Sequence, residues 1–236
     1  GCVISNADPK TTFLHLLGAR HQDTGFVRSV RHLRTQGLAA KLHLALSSAP
    51  EFKGLAASDL GARLLIAPSL DHVELAFNHS KYGEFSSDPV LELHVPSAHD
   101  ASLAPAGKGK QVLSAVVQYA PHALKGGWDD AARRRFIDTC LGSIERVAPG
   151  ISRRVEAVEL LTPADIEAQF RIRGGHWHHA EFAFDQFFMV RPVPGATQYA
   201  TPMEGLYLCG AGSHPGGGVT GLPGRLAARR VLEGVA

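Results

Sequence analysis

The chain has 236 residues, 44% of them hydrophobic and 19% charged, with a formal net charge of +2. That describes an ordinary globular protein, long enough for one large domain or two small ones. So small a charge excess, with no basic run carrying interleaved aromatics, excludes a nucleic-acid-binding surface.

No apolar run reaches the ~20 residues a membrane span needs, so no stable span is expected. Cys2, Cys140 and Cys209 are widely spaced and odd in number, with no C-x-x-C pair, which fits a reducing, cytoplasmic setting. The chain opens directly on a strand-like run with Asn6 and Asp8 close behind. No secretory leader is expected, and a start inside a strand reads as part of a longer protein.

Residues 2–5 read as a short strand. Asp8 as cap and Pro9 at the first helical position open a helix with Phe13, Leu14, Leu16 and Leu17 on its apolar face, stopped by Gly18. Phe26, Val30 and Leu33 predict a second helix over 24–34. The period then changes: Leu42, Leu44 and Leu46 alternate with Lys41, His43 and Ala45, the strand signal. A short strand at 64–67 is followed by a helix capped at Ser69 and running to Lys81. Strands follow at 90–95 and 112–119, joined by a hairpin loop over 101–110 that holds Pro105, Gly107 and Gly109. Asp129 caps a long helix to Val147 with Phe136, Cys140 and Ile144 on one face. Within it, Arg133, Arg134 and Arg135 read as a solvated surface. A fifth strand spans 155–161, and Thr162-Pro163-Ala164-Asp165 opens a short helix.

Alternation in these strands gives each sheet one covered face. The expected class is therefore α+β, a mostly antiparallel or mixed sheet with helices on one side.

Two stretches carry chemistry. The first holds His176, His178 and His179 with Glu181 and Asp185 nearby. Imidazole and carboxylate suit zinc or iron, but H-E-x-x-H is absent, and His178 and His179 on a strand would point in opposite directions. No metal is expected, and a metal hydrolase on His176, His178 and Glu181 is the weakest reading. A histidine near neutrality can carry a proton to or from a substrate. Arg191 either presents its cation to a ligand or pairs with Asp185.

The second stretch is an apolar run at 206–209, a glycine-dense loop, then a helix over 222–232. In that order, backbone N–H groups gather at a helix N-terminus, where they bind anions without side chains. Gly216, Gly218 and Gly221 match G-x-G-x-x-G in form, but a long loop separates strand from helix and the sequence stops before the acidic residue expected about twenty residues on, so this does not read as the first unit of a dinucleotide fold. Cys209 reads as a small core hydrophobe.

The run from Leu206 to Val219, with Gly221 and Gly224 after it, resembles the C-terminal flavin-binding motif of phytoene desaturase-like FAD oxidoreductases, which share an amine oxidase-like fold. Gly174-Gly175-His176, Asp185-Gln186 and Arg191-Pro192-Val193-Pro194-Gly195 resemble the same family, in the branch of pyridine nucleotide-disulfide oxidoreductase domain-containing proteins. Val3-Ile4-Ser5-Asn6-Ala7-Asp8-Pro9 resembles the point where the family's chain leaves its flavin domain. The likeness covers the family's C-terminal half.

The resemblance implies that 1–18 and 171–236 form a partial flavin-binding domain and 19–170 a substrate-type domain. It implies FAD as cofactor, held at Gly210, Ala211, Gly212, His214, Pro215, Gly216, Gly217, Gly218, Val219 and Arg191. The site is incomplete without an N-terminal FAD-binding half, missing or on another chain. Many relatives carry Gly-Asp where this chain has Gly210-Ala211, so backbone amides take over one side-chain anchor. His176 and His178 would border a cavity for an apolar small molecule and act as catalytic residues in hydride removal. The reading from a different class is a non-catalytic binding module that keeps the substrate fold and forms a homodimer.

Overall fold

The computed structural model describes residues 1–104 and 109–235. They divide into two compact units, Leu38–Asp165 and a discontinuous unit made of Gly1–Gly37 and Ile166–Ala236.

The continuous unit is built on a five-stranded, wholly antiparallel sheet. Its strands are β2 (Ala39–Leu46), β3 (Leu64–Ile66), β4 (Val90–His94), β5 (Gln111–Gln118) and β6 (Val155–Leu161), in the order β3-β4-β5-β2-β6. Alternation along β2 sends Leu42, Leu44 and Leu46 to the covered face. There they join Leu91, Leu93, Leu113 and Val117 and, from helix α3 (Asp130–Val147), Phe136, Cys140 and Ile144. Each such side chain contributes about 1.5–3 kcal/mol by leaving water. The opposite face is polar: Lys41 and His43 on β2 stand beside Glu92, His94 and Ser114. The fold class is α+β, with helix on one side of an antiparallel sheet.

Caps place the helices where the sequence does. Asp129 accepts from the Ala132 amide at 2.7 Å ahead of α3, and Ser69 from His72 at 3.1 Å ahead of α2 (Leu70–Ser80). In α4 (Pro163–Phe170) the cap is reciprocal: the Asp165 amide donates to the Thr162 hydroxyl at 3.3 Å, and the Thr162 amide donates back to the Asp165 carboxylate at 2.8 Å. Arg133 is a correction. It is not a solvated residue; its guanidinium grips Asp165 in two hydrogen bonds of 2.8 and 2.6 Å. Part of the loop read at 101–110 lies outside the described residues. β4 and β5 do pair as neighbouring antiparallel strands across it.

In the discontinuous unit, β1 (Val3–Ser5) pairs in parallel with β7 (Leu206–Leu208), joining the two ends of the chain. The Asp8 carboxylate accepts from the Thr11 amide at 2.9 Å, as a cap should. The helix it starts is of the wider π type over Thr11–Leu16, with the Leu17 amide reaching back to the Thr12 carbonyl. Helix α1 (Thr24–His32) is capped by Asp23, which accepts from Phe26 at 3.0 Å, and ends two residues before Arg34. Phe26, Val30 and Leu33 pack with Phe13, Val193, Ala196 and Leu208 in one cluster. That packing puts 19–37 in this unit, so the first boundary falls at 37/38 and not at the expected 18/19. Helix α5 (Leu222–Val235) closes the chain.

Candidate functional site

The site is assembled from the loop after β7, the N-terminus of α5 and the histidine stretch. A cavity of ≈ 660 Å³ is bordered by Asn6, Trp177, His178, Cys209 and the glycine run that leads into α5. It brings together His178 with Gly210, Ala211, Gly216, Gly217, Gly218 and Val219. Gly212, His214, Pro215, His176 and Arg191 are not on its lining.

Two glycines are required by close approach. A Cβ on Gly217 would stand 2.4 Å from His178 Nδ1, and one on Gly216, whose φ is +115°, would stand 2.7 Å from Phe182 Cε1. No side chain fits at either place, so ring edges press directly on backbone. Ahead of α5, the amides of Gly216, Gly217, Gly218 and Val219 make no hydrogen bond among the described residues. These four successive donors lie in the irregular run three to six residues ahead of α5, unpaired within the described chain. Val219 is held at φ +57°, an uncommon conformation for a β-branched residue.

The histidine stretch is a turn rather than a strand, with His179 at φ +66° and its amide bonded to the His176 carbonyl at 2.6 Å. The buried Nδ1 atoms of His176, His178 and His179 have no hydrogen-bond partner among the described residues. Burial pushes His176 down to about 4, helped by the charges of His178 and Arg191. Burial and then Arg191 lower His178, and burial lowers His179 despite the opposing pull of Asp8. All three imidazoles are therefore neutral near pH 7. Glu181 is turned away to Arg34, at 3.0 Å, so the trio is not completed by a carboxylate. Among the described residues no group of three or more His, Cys, Asp or Glu is placed to hold a metal.

Arg191 departs most from the sequence reading. It does not pair with Asp185; that carboxylate is taken by Arg34 at 2.6 and 2.9 Å. Arg191 is fully buried. Its Nε donates to the Ala211 carbonyl at 3.2 Å, and Nη1 to Glu181 and Gln186 at 3.4 and 3.3 Å. Its Nη2 donates to Ala180 at 3.3 Å, to Ala211 at 3.0 Å and to His178. Phe182 lies against it with 4.8 Å from guanidinium to ring centroid. Burial lowers Arg191 to about 10, which leaves it charged at neutral pH.

His214 Nδ1–H donates to the Phe188 carbonyl at 3.0 Å, fixing the turn into the glycine run. Cys209 is a second correction: it lies just past β7, half-buried on the cavity wall instead of in the core, and burial raises its thiol. Sequence reasoning missed Asn6 and Trp177 as walls, and Phe182 as the ring against Gly216, because an isolated aromatic in a loop carries no sign of which glycine it will meet. It also missed Gln186, whose amide clasps the Arg34 backbone from both sides at 3.1 and 2.9 Å and anchors the histidine stretch to the end of α1.

No protein-family model matches the chain. It is 37% identical over 98% of its length to mouse pyridine nucleotide-disulfide oxidoreductase domain-containing protein 2, of which it covers 41%. It is 28% identical over 94% of its length to the lycopene-forming phytoene desaturase of a Paracoccus species, covering 42% of it. To the neurosporene-forming phytoene desaturase of Cereibacter sphaeroides it is 27% identical over 95% of its length, covering 41%. The chain thus spans about two-fifths of the length of the curated relatives it matches. By these matches it belongs with the pyridine nucleotide-disulfide oxidoreductase domain-containing and phytoene desaturase proteins, and corresponds to their C-terminal part.

Proposed function

We propose that this chain is the C-terminal portion of an FAD-dependent oxidoreductase that removes a hydride from an apolar small molecule. In this reading the discontinuous unit supplies part of the flavin site and the five-stranded unit the substrate side. An N-terminal dinucleotide-binding half, on the same polypeptide or another chain, completes the cofactor site. The observation that carries the reading is the row of unpartnered amides from Gly216 to Val219, in the loop that leads into α5 and walled by a neutral histidine. The donor set fits an electron-rich heterocycle: unpaired backbone N–H groups in a glycine loop and two positions where a Cβ would meet a ring edge. The relatives, named as an oxidoreductase domain-containing protein and desaturases, support the oxidoreductase class. Free Cys2, Cys140 and Cys209 agree with the cytoplasmic location we propose.

The chemistry supplied by a bound FAD would be acceptance of the hydride, for which the protein has no group of its own. Were FAD bound, the Gly216–Val219 amides would hold it and Trp177 would shield it from water. His178, neutral and with a free Nδ1 among the described residues, would accept or return a proton there.

The test is the visible spectrum of the full-length protein after incubation with FAD and desalting. We expect a retained yellow band, with at least a tenfold loss of FAD affinity in Gly217→Ala, since about 1.4 kcal/mol is tenfold in binding. Full-length protein that emerges folded and colourless would sink the proposal.

A further inference from the structure

We propose that Arg191 is a positioning residue, whose buried guanidinium clamps the histidine stretch to the glycine loop and is not itself presented to a ligand. The donor count carries this. A guanidinium has five N–H groups, and the carbonyls of His178, Ala180, Glu181, Gln186 and Ala211 take all of them. Four of these acceptors lie in the histidine stretch and its continuation; the fifth, Ala211, begins the glycine loop. One side chain therefore holds both walls of the cavity at once, and no donor remains for a cofactor.

The charge is also uncompensated. Among the described residues no carboxylate pairs with Arg191, because Arg34 occupies both Glu181 and Asp185. The cation rests on carbonyl dipoles and on the Phe182 ring, the same ring that meets the backbone of Gly216. A buried charge is tolerated only when its hydrogen bonds are complete. That makes the clamp rigid: any ligand that drew a donor away would leave a carbonyl bare. Lysine cannot replace it, having three N–H groups for five acceptors. The charge has a second effect, since it is the charged group common to His176, His178 and His179. His178 and His179 also disfavour protonation of His176, His179 disfavours that of His178, and Asp8 works the other way by favouring the protonated form of His179.

The experiment is hydrogen–deuterium exchange of the full-length protein without cofactor, wild type against Arg191→Lys. We expect exchange to rise together at the hydrogen-bonded amides of His179, Glu181 and Ser213 by about tenfold, the effect of losing one or two charged hydrogen bonds. The Leu38–Asp165 unit should be unchanged. Exchange that rises evenly across the chain, or in neither loop, overturns the clamp. A measurement on wild type covers the case in which the variant fails to fold: the Arg191 Nε–H resonance. Slow solvent exchange and no shift on adding FAD support the assignment; a shift that follows FAD occupancy makes Arg191 a direct ligand and overturns it. Colourless full-length protein with the coupled exchange intact would defeat the flavin reading alone.

Discussion

His176 shows how one residue couples the site to pH. Its imidazole is held down to about 4, first by burial and then by its charged neighbours. In an unfolded chain the same group titrates near 6.5. Between those values the unfolded state binds the proton and the folded state does not. The stability His176 contributes is therefore whole above pH ~6.5 and is lost as pH falls toward about 4, a total of about 3 kcal/mol. His178 and His179 shift in the same direction. Urea unfolding at pH 7 and pH 5 should show the lower stability at pH 5, and His176→Asn should flatten that difference. Unchanged pH dependence in the variant would assign the effect elsewhere. At this scale the sequence was legible where a residue type is itself the signal. Glycines crowding before a helix announce backbone exposure, and the structure sets free amides there. Arg191 was not legible, because its acceptors are main-chain carbonyls distributed over 178–211 and no residue type marks a carbonyl acceptor. The alternative pairing with Asp185 is not made because Arg34, itself tied to Gln186, takes that carboxylate.

Elements were the most legible level, since each helix start is written locally. Asp8, Ser69, Asp129 and the Thr162–Asp165 pair all cap as their spacing predicts. The π winding of Thr11–Leu16 was not readable, because it is set by what packs around the helix and not by its cap. Caps also differ in weight. Asp129 contributes a single backbone hydrogen bond, worth about 1 kcal/mol. Asp165 caps α4 and also binds Arg133 twice. We expect Asp165→Ala to cost about 2–4 kcal/mol, against about 1 for Asp129→Ala. Trp128, whose Nε1–H donates to the Pro121 carbonyl inside the same unit, gives the fluorescence signal for denaturant unfolding. Equal losses in the two variants would show that the Arg133 pairing adds nothing.

At the scale of the molecule, the two units hold unequal cores. Among the described residues, sixteen buried ones form the cluster of the continuous unit and seven that of the discontinuous one. In the latter a pair of parallel three-residue strands links the chain ends, and an isolated two-stranded sheet is marginal in water. Val3 and Ile4 on β1 are 63% and 45% exposed. For the 236-residue chain alone, we expect slow amide exchange in β2 and β5 and faster exchange in β1 and β7. Full-length protein should bring β1 and β7 to comparable protection. Equal protection in the short chain would show that the discontinuous unit needs no completion.

Strand register also bears on how such a protein changes over generations. The first and last strands of the continuous unit, β2 and β6, lie side by side and antiparallel, with Lys41 opposite Leu161. Entry and exit of that unit therefore sit at neighbouring strand ends, and the whole of Leu38–Asp165 is an insert whose two splice points nearly touch. Such a segment can be lengthened, shortened or replaced as a cassette while the flanking ends keep their own pairing. Changes confined to the cassette then leave the glycine loop untouched, and the insert and its flanks are free to drift at different rates.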